Sequence, residues 1–312
     1  MDFTRRVIAA NDGAELVVWE SCNAGVPVVF VHGFPETHIC WNPLIGTFDS
    51  HEIRRYKLIV YDLRGFGESS RTGEASLNRF YYDHDTIVSK LKLQRYHLVG
   101  HDWGGAIALH VARFKPETLL SLVVMNTNYW KTDVLGMWHM IFFNIPFLPT
   151  VVFRMIPDRL FKFGMLGAFV NRNRLALEAR DSYLQMFQDR ETTRYWTKLY
   201  RNMGRSLISQ KSRALKRLAS SNETALPVRS NCAYQTDINL IWGEKDRFNP
   251  IWVCWDMEKQ LKKRGASVSV NFIGDSGHFV QEEQPEQVAA YLFQHWEKAS
   301  PENSAVLTRH CT

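Results

Sequence analysis

The chain alternates short apolar runs with amphipathic stretches, and this alternation constrains its fold more than any other feature of the sequence. Buried strands are predicted for the β-branched runs at residues 27–31, 57–61, 97–99, 119–125, 238–242 and 268–273. Helical patterns at residues 105–114 and 287–296 follow some of these runs. Strands that are apolar on both faces and are separated by helices form mostly parallel sheets covered on both sides. The predicted fold class is therefore α/β.

The beginning and the middle of the chain depart from this alternation. Residues 5–20 predict an antiparallel hairpin that turns through Asn-Asp-Gly at residues 11–13. The alternation stops near Tyr129 and resumes near Asp237, and the stretch between them is helical in pattern and rich in aromatic residues. Such a change in mid-sheet predicts an inserted helical cap. We expect a core of residues 1–128 and 231–299, a cap of residues 129–230 and a frayed tail of residues 300–312.

The predicted cap is strongly basic. Residues 129–229 contain 17 Lys and Arg residues but only seven Asp and Glu residues. A solvated basic face on helices explains this charge, and attraction of acidic substrates or of an anionic surface is the alternative. The whole chain carries a net charge of +6, yet no nucleic-acid-binding motif accompanies it. We therefore expect no nucleic-acid partner.

Membrane spans, metals and cofactors are not predicted. The longest apolar stretch, residues 140–153, is interrupted by Asn144, Pro146 and Pro149, and it is shorter than the roughly 20 residues that a membrane span needs. The first residues resemble neither a secretory signal nor a transit peptide, so a cytoplasmic location is expected. The five cysteines are scattered, without metal-binding spacing, which predicts free thiols.

A sharp turn at residues 100–105, with the sequence GHDWGG, follows the apolar run at residues 96–99. Its glycines let a strand and a helix approach closely, and the turn would expose the side chain of Asp102. A serine in this place would attack carbonyl carbons, whereas a carboxylate is better suited to displacing a leaving group from a saturated carbon. Alternatively, Asp102 caps the helix that begins near Trp103.

Two further polar residues complete a candidate catalytic triad. Hydrolysis of an ester on Asp102 requires a general base and a group that orients this base. His278 lies in a glycine-containing loop after the strand at residues 268–273, and Asp246 follows the strand at residues 238–242. The order of nucleophile, acid and histidine is the one described for hydrolases with this turn. The alternative is that His278 is an ordinary loop residue and that Asp246 pairs with Arg247.

The segment at residues 32–36, with the sequence HGFPE, also follows a predicted strand. The backbone N–H of Phe34 is the first predicted donor of an oxyanion hole, and the N–H of Trp103 is the second. We expect His32, Pro35 and Trp103 to line the substrate pocket. A plain turn would account for the glycine and the proline without a role for His32.

The segments around His32, Asp102, Asp246 and His278 together resemble the α/β-hydrolase family, and most closely its epoxide hydrolase branch. Residues 61–70, YDLRGFGESS, are similar to the D-x-R-G-x-G-x-S segment common in that family. The resemblance covers nearly the whole chain. It implies an α/β-hydrolase fold with a helical cap and a hydrolase that opens epoxides to vicinal diols. Its partners would be a small apolar epoxide and water, without a metal or an organic cofactor.

The resemblance also suggests which groups protonate the epoxide oxygen. Tyr200, within LYRNM at residues 199–203, resembles the lid tyrosine of epoxide hydrolases. Many members pair it with a second tyrosine, and His139 occupies that position here. Relatives with histidine there include epoxide hydrolases and haloacetate dehalogenases. Ordinary helix packing is the alternative role for both Tyr200 and His139.

Two other functions remain open from the sequence. Haloalkane dehalogenases resemble the chain at Asp102 and Trp103 but often have asparagine where this chain has Phe34. Haloacetate dehalogenases carry arginines where Trp103 and Ala106 stand. The second alternative to an epoxide hydrolase, after a dehalogenase, is a non-catalytic protein of the same fold, which binds a small ligand in its pocket. The sequence leaves substrate size, stereochemistry and oligomeric state, including a homo-oligomer, open.

Overall fold

The computed structural model describes residues 2–129, 138–219 and 234–299, except for the side chains of residues 138–139 and 206–219. Eight strands of the described residues form one sheet, in the order β1-β2-β4-β3-β5-β6-β7-β8. These strands are β1 (Phe3–Ala9), β2 (Glu15–Ser21), β3 (Val26–Val31), β4 (Tyr56–Tyr61), β5 (Tyr96–His101), β6 (Leu119–Met125), β7 (Ile238–Gly243) and β8 (Val268–Ile273).

The sheet is parallel from β4 to β8 and antiparallel only at one edge. β1 and β2 form the predicted hairpin, and β2 also pairs with β4 in the antiparallel direction. The parallel strands β3 to β7 are mainly apolar and buried, as a sheet covered on both faces requires, whereas the edge strand β8 is mostly half-buried. The predicted α/β fold class is therefore confirmed, and so are the strands expected from the apolar runs.

Helices cover the sheet. They are α1 (Asn42–Gly46), α2 (Ser50–Arg55), α3 (Leu77–Lys90), α4 (Trp103–Phe114), α5 (Trp138–Asn144), α6 (Leu148–Met155), α7 (Pro157–Gly164), α8 (Leu177–Gln188), α9 (Arg190–Ala219), α10 (Ile251–Lys263), α11 (Val280–Glu283) and α12 (Pro285–Lys298). α4 packs against β3, β5 and β6, whereas α10 packs against β7 and β8. No helix among the described residues has both the length and the apolar character of a membrane span.

Among the described residues, five helices, α5 to α9, lie between β6 and β7, and we call them the helical insertion. α9 anchors the insertion to the core, because the indole N–H of Trp196 donates to the carbonyl of Gly65 over 3.1 Å. The hydroxyl of Tyr195 donates to the carbonyl of Glu74 over 3.0 Å. The insertion thus begins and ends where the alternating pattern breaks and resumes. The division into domains at residues 128, 230 and 299 stays a prediction.

The segment at residues 61–70 has a structural role in the fold. Its Arg64 side chain is completely buried, and its guanidinium lies 2.7 Å from Asp83 and 2.9 Å from Asp12. Asp12 belongs to the turn of the β1–β2 hairpin, and Asp83 belongs to α3. Since a buried charge is stable only when it is paired, these carboxylates tie the hairpin and α3 to the loop after β4.

The closest backbone approach in the core is at the start of α4. A Cβ atom on Gly104 would collide with the carbonyl oxygen of Val31 at the end of β3. A Cβ atom on Gly100 would likewise collide with the backbone of Gly104. Only glycine therefore allows α4 to begin directly against β3 and β5.

We predict that Gly104→Ala lowers the free energy of unfolding by about 1 to 3 kcal/mol, because the backbones of α4 and β3 must separate. Urea denaturation of the purified variant measures this change. Gly46→Ala is the matched control, since nothing lies within 4 Å of the added Cβ. A Gly104→Ala protein as stable as the control would contradict the packing described here.

Candidate active site

Asp102 lies at the turn between β5 and α4 in a strained backbone conformation, with φ 49° and ψ −113°. Non-glycine residues seldom adopt positive φ, and such strain is concentrated at functional sites. The Asp102 side chain makes no capping hydrogen bond, which would come from the N–H of the second or third residue of α4, so it does not act as a helix cap. The turn instead presents the carboxylate, with 21% of the side chain exposed, to an internal cavity.

Two backbone amides hold the Asp102 carboxylate. The N–H of Phe34 donates to Oδ1 of Asp102 over 2.8 Å, and the backbone N–H of Trp103 also donates to this carboxylate. The carboxylate lies so close to Gly33 that a Cβ atom there would come within 2.6 Å of Oδ1. The two predicted oxyanion donors therefore converge on one group.

His278 lies beside Asp102 and is held from its other side by Asp246. Nε2 of His278 is 3.7 Å from Oδ2 of Asp102, and Nδ1 is 2.8 Å from Oδ2 of Asp246. The other oxygen of Asp246 accepts the N–H groups of Phe248 and Asn249 over 2.8 and 3.0 Å. The carboxylate of Asp246 thus fixes the position of the imidazole, and the structure brings the three predicted triad residues together.

Burial and charge act in opposite directions on the pKa of His278. Burial lowers the pKa, but the negative charge and the hydrogen bond of Asp246, with the charge of Asp102, raise it to about 9. Burial also raises the pKa of Asp102 above its ordinary value, although the charge of His278 and the two amides oppose this shift. The charge of each group therefore shifts the pKa of the other.

Asn126 is a site residue that the sequence analysis missed. It follows β6 directly, has a positive φ of 42°, and its Nδ2 donates to Oδ2 of Asp246 over 2.7 Å. Its side-chain oxygen accepts the N–H of Gly243 over 3.2 Å. A polar residue directly after a buried strand, at the sheet edge that carries Asp102 and Asp246, is the signal that would have identified it.

Glu36 and His101, which the sequence analysis also missed, connect the loop at residues 32–36 to His278. Oε2 of the buried Glu36 lies 2.7 Å from Nδ1 of His101, and Nε2 of His101 lies 2.8 Å from the carbonyl oxygen of His278. Burial raises the pKa of Glu36, but the charge of His101 and its hydrogen bond bring the pKa below the usual value. Both residues stand within the motifs that the sequence analysis singled out, next to the residues it selected.

Tyr200 of α9 faces the carboxylate from the helical insertion. The side chain is 1% exposed and stacks on Phe143 with ring centroids 4.3 Å apart. Its hydroxyl oxygen accepts a hydrogen bond from the indole N–H of Trp103. Burial raises the pKa of Tyr200 well above its ordinary value, and the charge of Asp102 raises it further, against the effect of this hydrogen bond. The hydroxyl therefore keeps its proton. The side chain of His139 lies outside the described residues.

The cavity above Asp102 is apolar and has a volume of about 140 Å³. Asp102 and His278 are the only charged or titratable residues other than Tyr200 that line it among the described residues. Pro35 and Trp103 line it as predicted. Its apolar walls include Phe34, Leu77, Phe142, Phe143, Phe153, Leu160, Met165, Phe187, Met203, Phe248 and Phe279.

The prediction that His32 lines the pocket is wrong. The side chain is completely buried below the cavity. Its Nε2 accepts the N–H of Leu63 over 3.0 Å, and its Nδ1 lies 2.9 Å from the carbonyl oxygen of Gly33. His32 therefore joins the loops after β3 and β4 and has no access to a bound molecule.

Comparison with known proteins identifies the family of the chain. The family described as the alpha/beta hydrolase fold matches residues 26–285. The chain belongs to the alpha/beta hydrolase family. Over 282 residues this alpha/beta hydrolase is 25% identical to Epoxide hydrolase 4 of Homo sapiens, covering 84% of this chain and 69% of that protein.

Solved structures show that the fold alone does not determine the reaction of this alpha/beta hydrolase. The epoxide hydrolase CorEH without ligand superposes with a TM-score of 0.73 and 18% identity, covering 96% of this chain and 100% of that one. A thermophilic esterase from Thermogutta terrifontis superposes with a TM-score of 0.70 and 21% identity, covering 95% and 99% of the two chains. The reaction must therefore be argued from the site.

We predict that Asp102→Asn lowers the pKa of His278 from about 9 by about one unit or more, because the isosteric amide removes one of the two adjacent negative charges. Histidine resonances followed by NMR during a pH titration measure the shift. Asp275→Asn is the control, since Asp275 is exposed and pairs with Lys245. An unchanged His278 pKa in the Asp102→Asn protein would contradict the coupling.

Proposed function

We propose that the protein is an epoxide hydrolase that forms a covalent ester on Asp102 and releases a vicinal diol. The observation that carries the proposal is the position of this carboxylate. It lies between two backbone N–H donors and His278, and it faces the protonated hydroxyl of Tyr200 across an apolar cavity. The epoxide hydrolase names among the similar proteins support the same reaction class.

In the first step, a carboxylate oxygen of Asp102 attacks a ring carbon of the epoxide. The carbon–oxygen bond of the ring breaks, and the oxygen takes up the proton of Tyr200, which later recovers a proton from solvent. Tyr200 is suited to this role because its raised pKa keeps the proton in place until the basic alkoxide develops. His139 is the proposed second donor.

In the second step, His278 removes a proton from water, and the water oxygen attacks the carbonyl carbon of the ester. The negative charge that develops on the carbonyl oxygen is stabilised by the N–H groups of Phe34 and Trp103. As this intermediate collapses, the bond to the alcohol oxygen breaks, and this oxygen takes the proton that His278 removed from water, so the diol is released. The new carboxyl group loses its remaining proton to solvent, which restores the Asp102 carboxylate. Ester formation removes the charge of Asp102, which lowers the pKa of His278 and helps it to act as a base in this step.

The cavity supports an uncharged, apolar epoxide as the substrate. No Lys or Arg among the described residues lines the cavity, so no cationic side chain is placed to bind the carboxylate of a haloacetate. A haloalkane dehalogenase is the second candidate, because the indole N–H of Trp103 lies next to Asp102 and could donate to a halide. In the structure, however, this side chain hydrogen-bonds Tyr200. The predicted cytoplasmic location stays a prediction.

Trapping the ester tests the proposal and separates the two candidates. We predict that His278→Gln accumulates an adduct on Asp102 when it is incubated with styrene oxide, because the ester forms but its hydrolysis lacks a base. Intact-protein mass spectrometry should show a gain equal to the mass of the whole epoxide. A dehalogenase would instead gain only the alkyl group from a bromoalkane and release bromide.

The double variant His278→Gln/Asp102→Ala is the control for the site of attachment. It should show no adduct under the same conditions. An adduct that persists in the double variant, or undiminished diol formation by His278→Gln, would contradict the proposed covalent mechanism.

We also predict that Tyr200→Phe lowers kcat/KM for epoxide opening by about 100-fold, because general-acid catalysis typically contributes two to four orders of magnitude. Tyr195→Phe is the matched control, since Tyr195 is a buried tyrosine of the same helix that bonds Glu74 and does not line the cavity. Diol formation under single-turnover conditions measures both. Equal losses in the two variants would contradict the role of Tyr200.

A further inference from the structure

We propose that the outer surface of α5, α6 and α7 docks on an anionic lipid surface. Most large apolar side chains of a protein surface occur singly, and a contiguous group marks an interaction site. Eight large apolar side chains between residues 141 and 163 are at least one-third exposed. This apolar face consists of Ile141, Ile145, Phe147, Leu148, Val151, Met155, Ile156 and Phe163.

The spacing of these residues places them together on the outside of the insertion. Leu148, Val151 and Met155 are spaced as neighbours along one side of α6. α6 packs against both α5 and α7, so the apolar side chains of the three helices belong to one region of the surface. The most prominent are Phe147, 79% exposed, with Met155 and Phe163, each 70% exposed.

The opposite side of the same helices is already occupied. Phe143 of α5, Phe153 of α6 and Phe161 of α7 are buried. Phe143 and Phe153 line the cavity, and Phe161 packs on Phe187 of α8. These helices are therefore apolar on two sides, and the contacts among the described residues explain only the inner one. A surface helix that needed only to cover the core would have a polar outer side.

Charge identifies an anionic lipid surface as the occupant. Arg154, Arg159 and Lys162 are exposed among the apolar side chains, and Asp158 is the only acidic residue between positions 138 and 164. In a symmetric dimer the same face of the partner, with the same three cations, would lie opposite, in an interface whose core normally lacks charge. A bilayer with anionic headgroups instead accommodates both features, because apolar side chains enter the acyl boundary and cations bind the headgroups.

Docking would place the cavity next to the phase in which apolar molecules concentrate. Phe142, Phe143, Phe153 and Leu160, which line the cavity, belong to the same three helices as the apolar face. The inference itself depends only on the surface, and lipid binding can be measured without any substrate.

The experiment is sedimentation of the full-length protein with sucrose-loaded vesicles of phosphatidylcholine, with or without about 30 mol% phosphatidylserine. We expect binding to the anionic vesicles that weakens at high salt. The variant Phe147→Ser/Met155→Ser/Phe163→Ser should lower the partition coefficient at least about tenfold, because its side chains no longer enter the acyl boundary. Arg154→Glu/Lys162→Glu should lower it to a similar extent and only for anionic vesicles.

Matched controls alter exposed residues of the core. Tyr82→Ser/Trp255→Ser removes aromatic side chains that are 61% and 57% exposed, and Lys90→Glu/Lys263→Glu reverses two charges on α3 and α10. Both control proteins should bind like the wild type. Equal losses in the controls, or no binding of the wild type to anionic vesicles, would overturn the proposal.

Sedimentation-velocity measurements without lipid address the competing occupant. A monomer that binds anionic vesicles supports lipid docking. A dimer that dissociates in the Phe147→Ser/Met155→Ser/Phe163→Ser variant would show that a second copy covers the apolar face, and it would overturn the lipid assignment.

Discussion

The rest of the site depends on one strained turn, in which Asp102 adopts a positive φ between β5 and α4. The strain is tolerated because the surrounding backbone leaves no other path. Gly104 lies against β3, and Gly105 lies so close to Thr127 that even a Cβ atom would need the threonine to move. The hydroxyl of Thr127 in turn donates to the Asp102 carbonyl oxygen. The packing around this turn thus holds the Asp102 carboxylate in place despite the strained backbone.

That carboxylate and His278 determine each other's charge. Oδ2 of Asp102 and Nε2 of His278 are 3.7 Å apart and both side chains are largely buried, so the ionised form of each favours the ionised form of the other. Asp246 adds a second negative charge that stays in place throughout the proposed reaction. The proposed mechanism depends on this difference between the two carboxylates, since ester formation removes the charge of Asp102 but not the charge of Asp246.

The core and the helical insertion contribute different chemical groups to the site. The core supplies the charges and the fixed amide dipoles at the carboxyl ends of β3, β5, β6, β7 and β8, where a parallel sheet presents its loops. The insertion supplies apolar walls and Tyr200. The two parts also meet at the loop that carries His278, because the N–H of His278 donates to the carbonyl of Ala168 in the insertion. The Glu283 side chain accepts the N–H groups of Gly277 in this loop and of Val170 in the insertion. A displacement of the insertion would therefore also displace the backbone of His278.

Much of the fold was readable from the sequence because its signals are local. The apolar runs, the hairpin turn and the glycines at residues 100–105 depend on neighbours within a few positions, and the strands and helices appear where these patterns predict them. The positions of Asp102, Asp246 and His278, each after a predicted strand, likewise indicated one sheet edge. The sequence analysis did not predict α3, whose Asp83 pairs with Arg64, because the polar side chains of Asp83 and His84 occupy part of its buried face.

What the sequence determined by itself was the class of fold and the chemical groups available for a reaction, since both follow from residue type and short-range spacing. Only the tertiary structure decided which groups meet. It buried His32 between two loops, brought Asn126 to Asp246 and Glu36 to His101, and turned the outer side of α6 to solvent. These contacts join residues far apart in the chain, so their distances and charges exist only after the sheet has formed and the insertion has packed over it.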